Sequence, residues 1–216
     1  TVPVSWRRQY CGIFEAHIDG VIYYLIDNQY YFKRDGLYGH YDDAERFAFF
    51  SRAVVEFMLH SGNIPDVVHA NDWQTAPIPV FLKAFYAHME EYSKIRTVFT
   101  IHNIEYQGLM PLEFAGNIME LSGDFVNILT YDGCINFMKG AIVTADKITT
   151  VSETYSRQLM DAYFAHGMEN ILAANAHKLT GITNGIDTHV FNPATDPNLP
   201  ANFSAKAFKR NKALCK

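Results

Sequence analysis

Residues 99–108 read Phe-Thr-Ile-His-Asn-Ile-Glu-Tyr-Gln-Gly. The segment passes from a β-branched and aromatic run straight into polar residues, ending on a glycine. The apolar start has the composition of a buried strand. The polar finish is dense in side chains that donate and accept hydrogen bonds. A buried strand that ends this way reaches the rim of a crevice.

The surrounding sequence repeats the pattern. "PDVVHAND" (65–72) is a short apolar run ending in His69-Ala70-Asn71-Asp72. "KITTVS" (147–152) ends at Ser152, and "LTGITNGID" (179–187) passes through Asn184-Gly185. Between these runs lie segments with helical periodicity, expected over 74–92, 133–145 and 153–164. Ser152 is placed to cap the last of these, with Glu153 in its first turn. A polar and aromatic stretch covers 103–132. Strands alternating with helices predict an α/β fold with a parallel, Rossmann-like sheet and right-handed crossovers. In such a sheet the carboxyl ends of the strands share one edge, where open α/β folds bind ligands.

Upstream, the strand-like runs 10–18 and 21–26 flank Asp19-Gly20, a hairpin signal. Residues 43–60 place Phe47, Phe50, Val54, Phe57 and Met58 at helical spacing, with Asp42 as N-cap and Gly62 beyond the C-terminus. The chain has 216 residues, 49% of them hydrophobic and 19% charged, enough apolar material for a sizeable core. That length suits one large domain or two small ones. A net charge of −5 without a basic face argues against nucleic acid as a partner. No run is long enough to span a bilayer and no secretory signal opens the sequence. Cys11, Cys134 and Cys215 form neither a metal pair nor a disulfide framework, which fits a reducing cytoplasm. The absence of an initiator Met and the basic helical tail suggest a piece of a longer protein.

Several chemistries can be weighed on these residues. His69, Asp72 and His102 lack an evident third neutral ligand, so they read as hydrogen-bonding groups rather than a metal site. No Gly-x-Ser-x-Gly elbow is present, and Cys11 and Cys134 sit in apolar surroundings. Neither a dinucleotide fingerprint nor a P-loop occurs. The rim residues suit a sugar instead. Asp, Asn, His and Gln pair with hydroxyls, and Tyr38, Trp73 and Tyr106 can cover the apolar face of a pyranose. Tyr131 reads as packing.

"PDVVHANDWQTAPIPVFLK", "TVFTIHNIEYQG", "NFMKGAIVTADKITTVSETYSRQL" and "GITNGIDTHVFNP", with "DDAERFAFFSRAVVEFM", together resemble bacterial glycogen synthase and plant starch synthase. The likeness runs from about Tyr10 to the end. It implies a retaining glycosyltransferase that moves glucose from ADP-glucose to the non-reducing end of an α-1,4-glucan (glycogen or malto-oligosaccharide). No metal or other cofactor is implied. The implied architecture is GT-B, two Rossmann-like domains facing across a cleft, with residues 1–216 a truncated N-terminal, acceptor-side domain. The resemblance makes Asp72 the active-site aspartate and puts His102 on the donor glucose at its 6-hydroxyl. Asn184 with Gly185, and Tyr38, join the substrate site; Asn103, Tyr106 and Gln107 support it. The family's Lys-x-Gly-Gly-Leu loop and C-terminal nucleotide-sugar domain are not in the sequence, so these residues alone are expected to be inactive. Location follows the family: bacterial cytoplasm, or plastid for a plant protein. ADP-glucose rather than UDP-glucose rests on the resemblance alone. A glucan phosphorylase, a sucrose-type synthase and a non-catalytic glucan-binding module remain the alternative readings.

Overall fold

The computed structural model describes residues 1–215. The chain divides into two compact units, Thr1–Ile182 and a second that begins at Thr183.

The first unit opens with β1 (Val2–Val4) and β2 (Arg7–Gln9), an antiparallel pair. β3 (Gly12–Ile18) and β4 (Val21–Asp27) form the expected hairpin, with Ile18 opposite Val21. Asp19 and Gly20 take φ +51° and +80°, the left-handed pair that a two-residue hairpin turn requires. The helix Asp43–Ser61 follows and ends on Gly62 at φ +68°. Asp42 makes no capping bond; its carboxylate is 2.8 Å from Arg34 Nη2. Asp43 ties down the preceding loop instead, its Oδ2 accepting from the N–H groups of Gly39 (2.6 Å) and His40 (3.1 Å).

The central sheet holds β5 (Val67–Asn71), β6 (Arg96–Ile101), β10 (Lys147–Thr150) and β11 (Leu179–Gly181) in the order β11-β10-β6-β5, all parallel. Val68, Ala70, Phe99, Ile101 and Ile148 point into the main core with the helical residues Ile78, Val80, Phe81, Phe137, Met138 and Ile142. Val67, His69 and Asn71, alternate residues of β5, are exposed on the other face. A second cluster, Val2, Val4, Tyr31, Phe49 and Ala53, joins β1 to the long helix. A smaller antiparallel sheet, β7 (Leu109–Met110), β9 (Cys134–Asn136) and β8 (Thr130–Tyr131), runs from the polar and aromatic stretch 103–132 into the start of the segment expected to be helical.

Three helices differ from expectation. The 74–92 segment is helical in short pieces, Asp72–Thr75, Pro77–Phe81 and a π-turn at Leu82–Tyr86, before a separate turn at Glu90–Ser93. Pro77 and Pro79 have no N–H to continue the ladder. At the π-turn the Arg52 guanidinium lies 4.1 Å from the Phe85 ring centroid. The 133–145 helix begins only at Phe137, because Asn136 caps it (Oδ1 to Lys139 N, 2.9 Å) and residues 134–136 pair as a strand. The 153–164 helix stops at Gln158, and Asp161 caps a new turn, Ala162–Ala165. The fourth strand is likewise short, ending at Gly181, where a Cβ would meet Ser152 O at 2.3 Å.

In the second unit irregular backbone is followed by the helix Phe208–Leu214. Asn202 Nδ2 donates to Asp196 O at 2.8 Å, and Asn211 Nδ2 to Asn202 O at 2.6 Å. No helix among the described residues is long and apolar enough to cross a membrane.

Candidate functional site

Asp72 stands where β5 ends, and parallel pairing brings the end of β6 beside it. Asn71 pairs with Thr100, so His102 and Asn103 emerge at the level of Asp72. Asp72 has φ +55°, a conformation that costs a non-glycine residue energy and concentrates at functional sites. That turn directs its carboxylate across to the neighbouring strand. Oδ1 accepts the His102 N–H at 2.8 Å and the Asn103 N–H at 3.3 Å. The His102 ring Nε2 lies 3.0 Å from Asn71 Oδ1. Asn71 is itself held by Thr75, whose Oγ1 accepts its N–H at 2.5 Å and donates to its carbonyl at 2.7 Å.

These strand ends border a cleft of about 520 Å³ lined by Tyr38, Gly39, Asp43, Asp72, Trp73, Gln74, Asn103 and Tyr106. Its walls combine the aromatic rings of Tyr38, Trp73 and Tyr106 with the polar side chains of Asp43, Asp72, Gln74 and Asn103, a mixture that suits a polar ligand with an apolar face. Trp73 is set edge-on against Phe47 at 5.0 Å. Gly108 lets the chain pass close behind it. A Cβ there would meet Trp73 Cε3 at 2.8 Å, and φ is +69°. Tyr38 and Tyr106 are both well exposed and present their rings to solvent.

Tyr155 sits behind this rim. Its hydroxyl accepts the Ile104 N–H at 3.3 Å. Burial pushes its phenol above the ordinary value; the Ile104 bond opposes this and the nearby Asp72 charge adds to it.

The structure thus brings Asp72, Asn103, Tyr38 and Tyr106 to the cleft, while His102 adjoins Asp72 and Asn71 without being one of the lining residues. Gln107 is not brought there. It is buried, with Oε1 accepting from Asn136 Nδ2 at 2.7 Å and Nε2 donating to His166 O at 3.0 Å. Asn184 and Gly185 belong to the second unit, where both are exposed in irregular backbone. Tyr131 is packing, as read: its ring lies against the core and its hydroxyl donates to Gly167 O at 2.6 Å. His69 does not join Asp72 as a ligand pair, because its Nε2 is 2.6 Å from Thr100 Oγ1. Asp43, Gln74 and Tyr155 were not anticipated. Asp43 and Tyr155 lie within helical patterns, and their spacing carries no sign of the cleft.

Residues 1–174 match the family described as the starch synthase catalytic domain. Glycogen synthase of Geobacillus thermodenitrificans (strain NG80-2) is 49% identical over 211 residues, 97% of this chain and 44% of that protein. Glycogen synthase of Caldicellulosiruptor bescii is 46% identical over 214 residues, 98% and 45% of the two chains. Among solved structures, the catalytic domain of starch synthase IV from Arabidopsis thaliana, bound to ADP and acarbose, superposes with a TM-score of 0.80 at 35% identity. That match covers 97% of this chain and 44% of the other. The chain spans under half the length of the relatives it matches.

Proposed function

Because the chain belongs to the starch synthase catalytic domain family, we propose that it is the acceptor-side half of a retaining GT-B glucosyltransferase. The donor is ADP-glucose, and the acceptor is the non-reducing end of an α-1,4-glucan. A nucleotide-sugar domain completes the site, no metal or other cofactor takes part, and the setting is the cytoplasm. The observation that carries this reading is the Asp72 carboxylate. It is turned by a left-handed backbone onto the His102 and Asn103 amides at the rim of an aromatic-walled cleft.

The chemistry follows from that placement. The bond from the anomeric carbon to the diphosphate oxygen breaks, and the acceptor 4-hydroxyl oxygen bonds to the same face. Its proton passes to the departing phosphate oxygen. Asp72 is engaged by two backbone N–H groups, which suits a fixed negative charge that steadies the positive anomeric carbon better than a nucleophile. His102, anchored by Asn71, orients a glucose hydroxyl. Tyr38 and Tyr106 offer ring faces to the glucan. Asn184 and Gly185 are assigned to the sugar as well, on the strength of the family motif. Cations that stabilise the leaving diphosphate must come from the second domain.

The test joins this chain to the nucleotide-sugar domain of a glycogen synthase and measures radiolabelled glucose transfer to glycogen. Asp72→Ala and His102→Ala are each expected to lower kcat/KM at least a hundredfold, about 2.7 kcal/mol of transition-state stabilisation. Transfer that survives both substitutions would remove these residues from the mechanism.

A further inference from the structure

Tyr38 reaches the cleft from a loop that does little to hold itself. Its side chain is 67% exposed, so its own packing does not fix it. No backbone–backbone hydrogen bond among the described residues involves Asp35 through Gly39. The loop is held by side chains instead. Arg46 Nη1 donates to Leu37 O at 3.3 Å, and Asp43 Oδ2 accepts from the Gly39 N–H at 2.6 Å. These are the residues immediately before and after Tyr38. A weaker contact, His40 Nε2 at 3.5 Å from Gly36 O, draws the loop onto itself.

The two holding groups form one unit. Asp43 and Arg46 stand at i and i+3 in the first turn of the helix Asp43–Ser61, and Arg46 Nη1 also donates to Asp43 Oδ1. Arg46 is only 3% exposed. Its Nε donates to Tyr31 O at 2.7 Å, and its guanidinium lies 5.4 Å from the Phe47 ring centroid. A planar fork so buried, engaged on three oxygens, has little freedom to move. Phe47 stands edge-on against Trp73, so the fastening and the cleft wall share one support.

Asp43 also lines the cleft, a place that would suit a group meeting a sugar hydroxyl. Its bonds point elsewhere. Oδ1 is held by Arg46, and Oδ2 takes the N–H groups of both Gly39 and His40. The carboxylate is committed to the loop.

We propose that Asp43 and Arg46 are positioning residues, which set Tyr38 at the rim of the cleft before a glucan arrives. The proposal rests on the glucan reading of the cleft. A ring fixed in advance avoids the ordering entropy that a loose loop would lose on binding.

The experiment titrates the isotopically labelled chain with maltoheptaose and follows amide shifts by NMR. In the unchanged chain, shifts are expected at Tyr38, Asn103 and Tyr106. Tyr38→Ala, at an exposed position, is expected to weaken maltoheptaose about tenfold, and Arg46→Lys and Asp43→Asn about fivefold each, the scale of one ordered side chain. Lysine keeps the charge but lacks the fork that reaches Leu37, Tyr31 and Asp43 together. The deciding variants combine Tyr38→Ala with Arg46→Lys, and Tyr38→Ala with Asp43→Asn. Residues that act through Tyr38 leave each double variant no weaker than Tyr38→Ala alone. Asp43→Asn is the isosteric change, so the second cycle decides the matter even where Arg46→Lys disturbs the fold. Effects that multiply, to about fiftyfold, would give Asp43 and Arg46 a role independent of Tyr38 and overturn the proposal. Undiminished binding in the single variants would overturn it as well. Both results leave the proposed function standing. No shifts in the unchanged chain would overturn the glucan reading, and this inference with it.

Discussion

Asp72 and Gln107 illustrate what a single residue discloses. Asp72 was legible because a strand ending in Asn-Asp must deliver polar side chains to the sheet's carboxyl edge. Asn103 and Tyr106 follow from the same logic one strand over. Gln107 looked alike in sequence, yet its amide is committed to Asn136, 29 positions away, and to the carbonyl of His166. Tyr155 was silent for a related reason: one phenol in a helical pattern gives no sign that its oxygen will meet Ile104. Its role can be measured. Tyr155→Phe keeps the ring and removes the acceptor of the Ile104 N–H, behind the rim. The loss is expected to cost about 1 kcal/mol in denaturant unfolding, the usual worth of one such bond. The same variant should weaken malto-oligosaccharide binding a few-fold, since Ile104 follows His102 and Asn103. Unchanged unfolding would mean that water replaces the phenol.

At the scale of elements, periodicity worked where runs were long. The helix Asp43–Ser61 and the β3–β4 hairpin match their expected limits closely. Asp132-Gly133 carries the same turn chemistry as Asp19-Gly20, with φ +48° and +75°. Its flanking strands are only two and three residues long, too short to show alternation, so the turn was read as the start of a helix. The parallel sheet has its own fastening, which no local pattern announces. Asp146, just before β10, accepts at Oδ2 from the Thr97 N–H (2.8 Å) and hydroxyl (2.9 Å), with Arg96 at 3.5 Å and Lys83 at 3.9 Å. Burial alone would push this carboxyl up. The Thr97 bonds and the two cations outweigh it and hold the carboxyl below its ordinary value. A depressed native value favours folding above the unfolded pKa of about 3.9, and the benefit fades as pH falls through the native value. Melting temperature is therefore expected to drop on acidification below about pH 4. Asp146→Asn, which keeps an acceptor but loses the charge, should flatten that acid limb. An identical slope in the variant would assign the acid sensitivity to other carboxylates.

For the whole molecule, the question is how much of the chain the fold and the cleft require. Every residue of both core clusters lies before Thr183. So do all the strands among the described residues and all the residues that line the cleft. The segment from Thr183 onward keeps itself together with hydrogen bonds such as those of Asn202 to Pro193 O and Asp196 O, and its described residues bury no comparable apolar cluster. Hydrophobic burial dominates folding free energy, so stability should reside almost entirely in the first unit. A chain ending at Ile182 is therefore expected to melt cooperatively, within about 2 °C of the longer one, a shift worth at most about 1 kcal/mol for a unit of this size. It should also still bind maltoheptaose at the cleft, read as NMR amide shifts at Tyr38, Asn103 and Tyr106 on titration. Asn184 is missing from that shorter chain, which separates two roles. If glucan binding at the cleft persists without it, Asn184 serves the donor sugar, and its loss would be felt only in glucose transfer by the completed enzyme. Loss of those shifts with melting unchanged would overturn that division of roles.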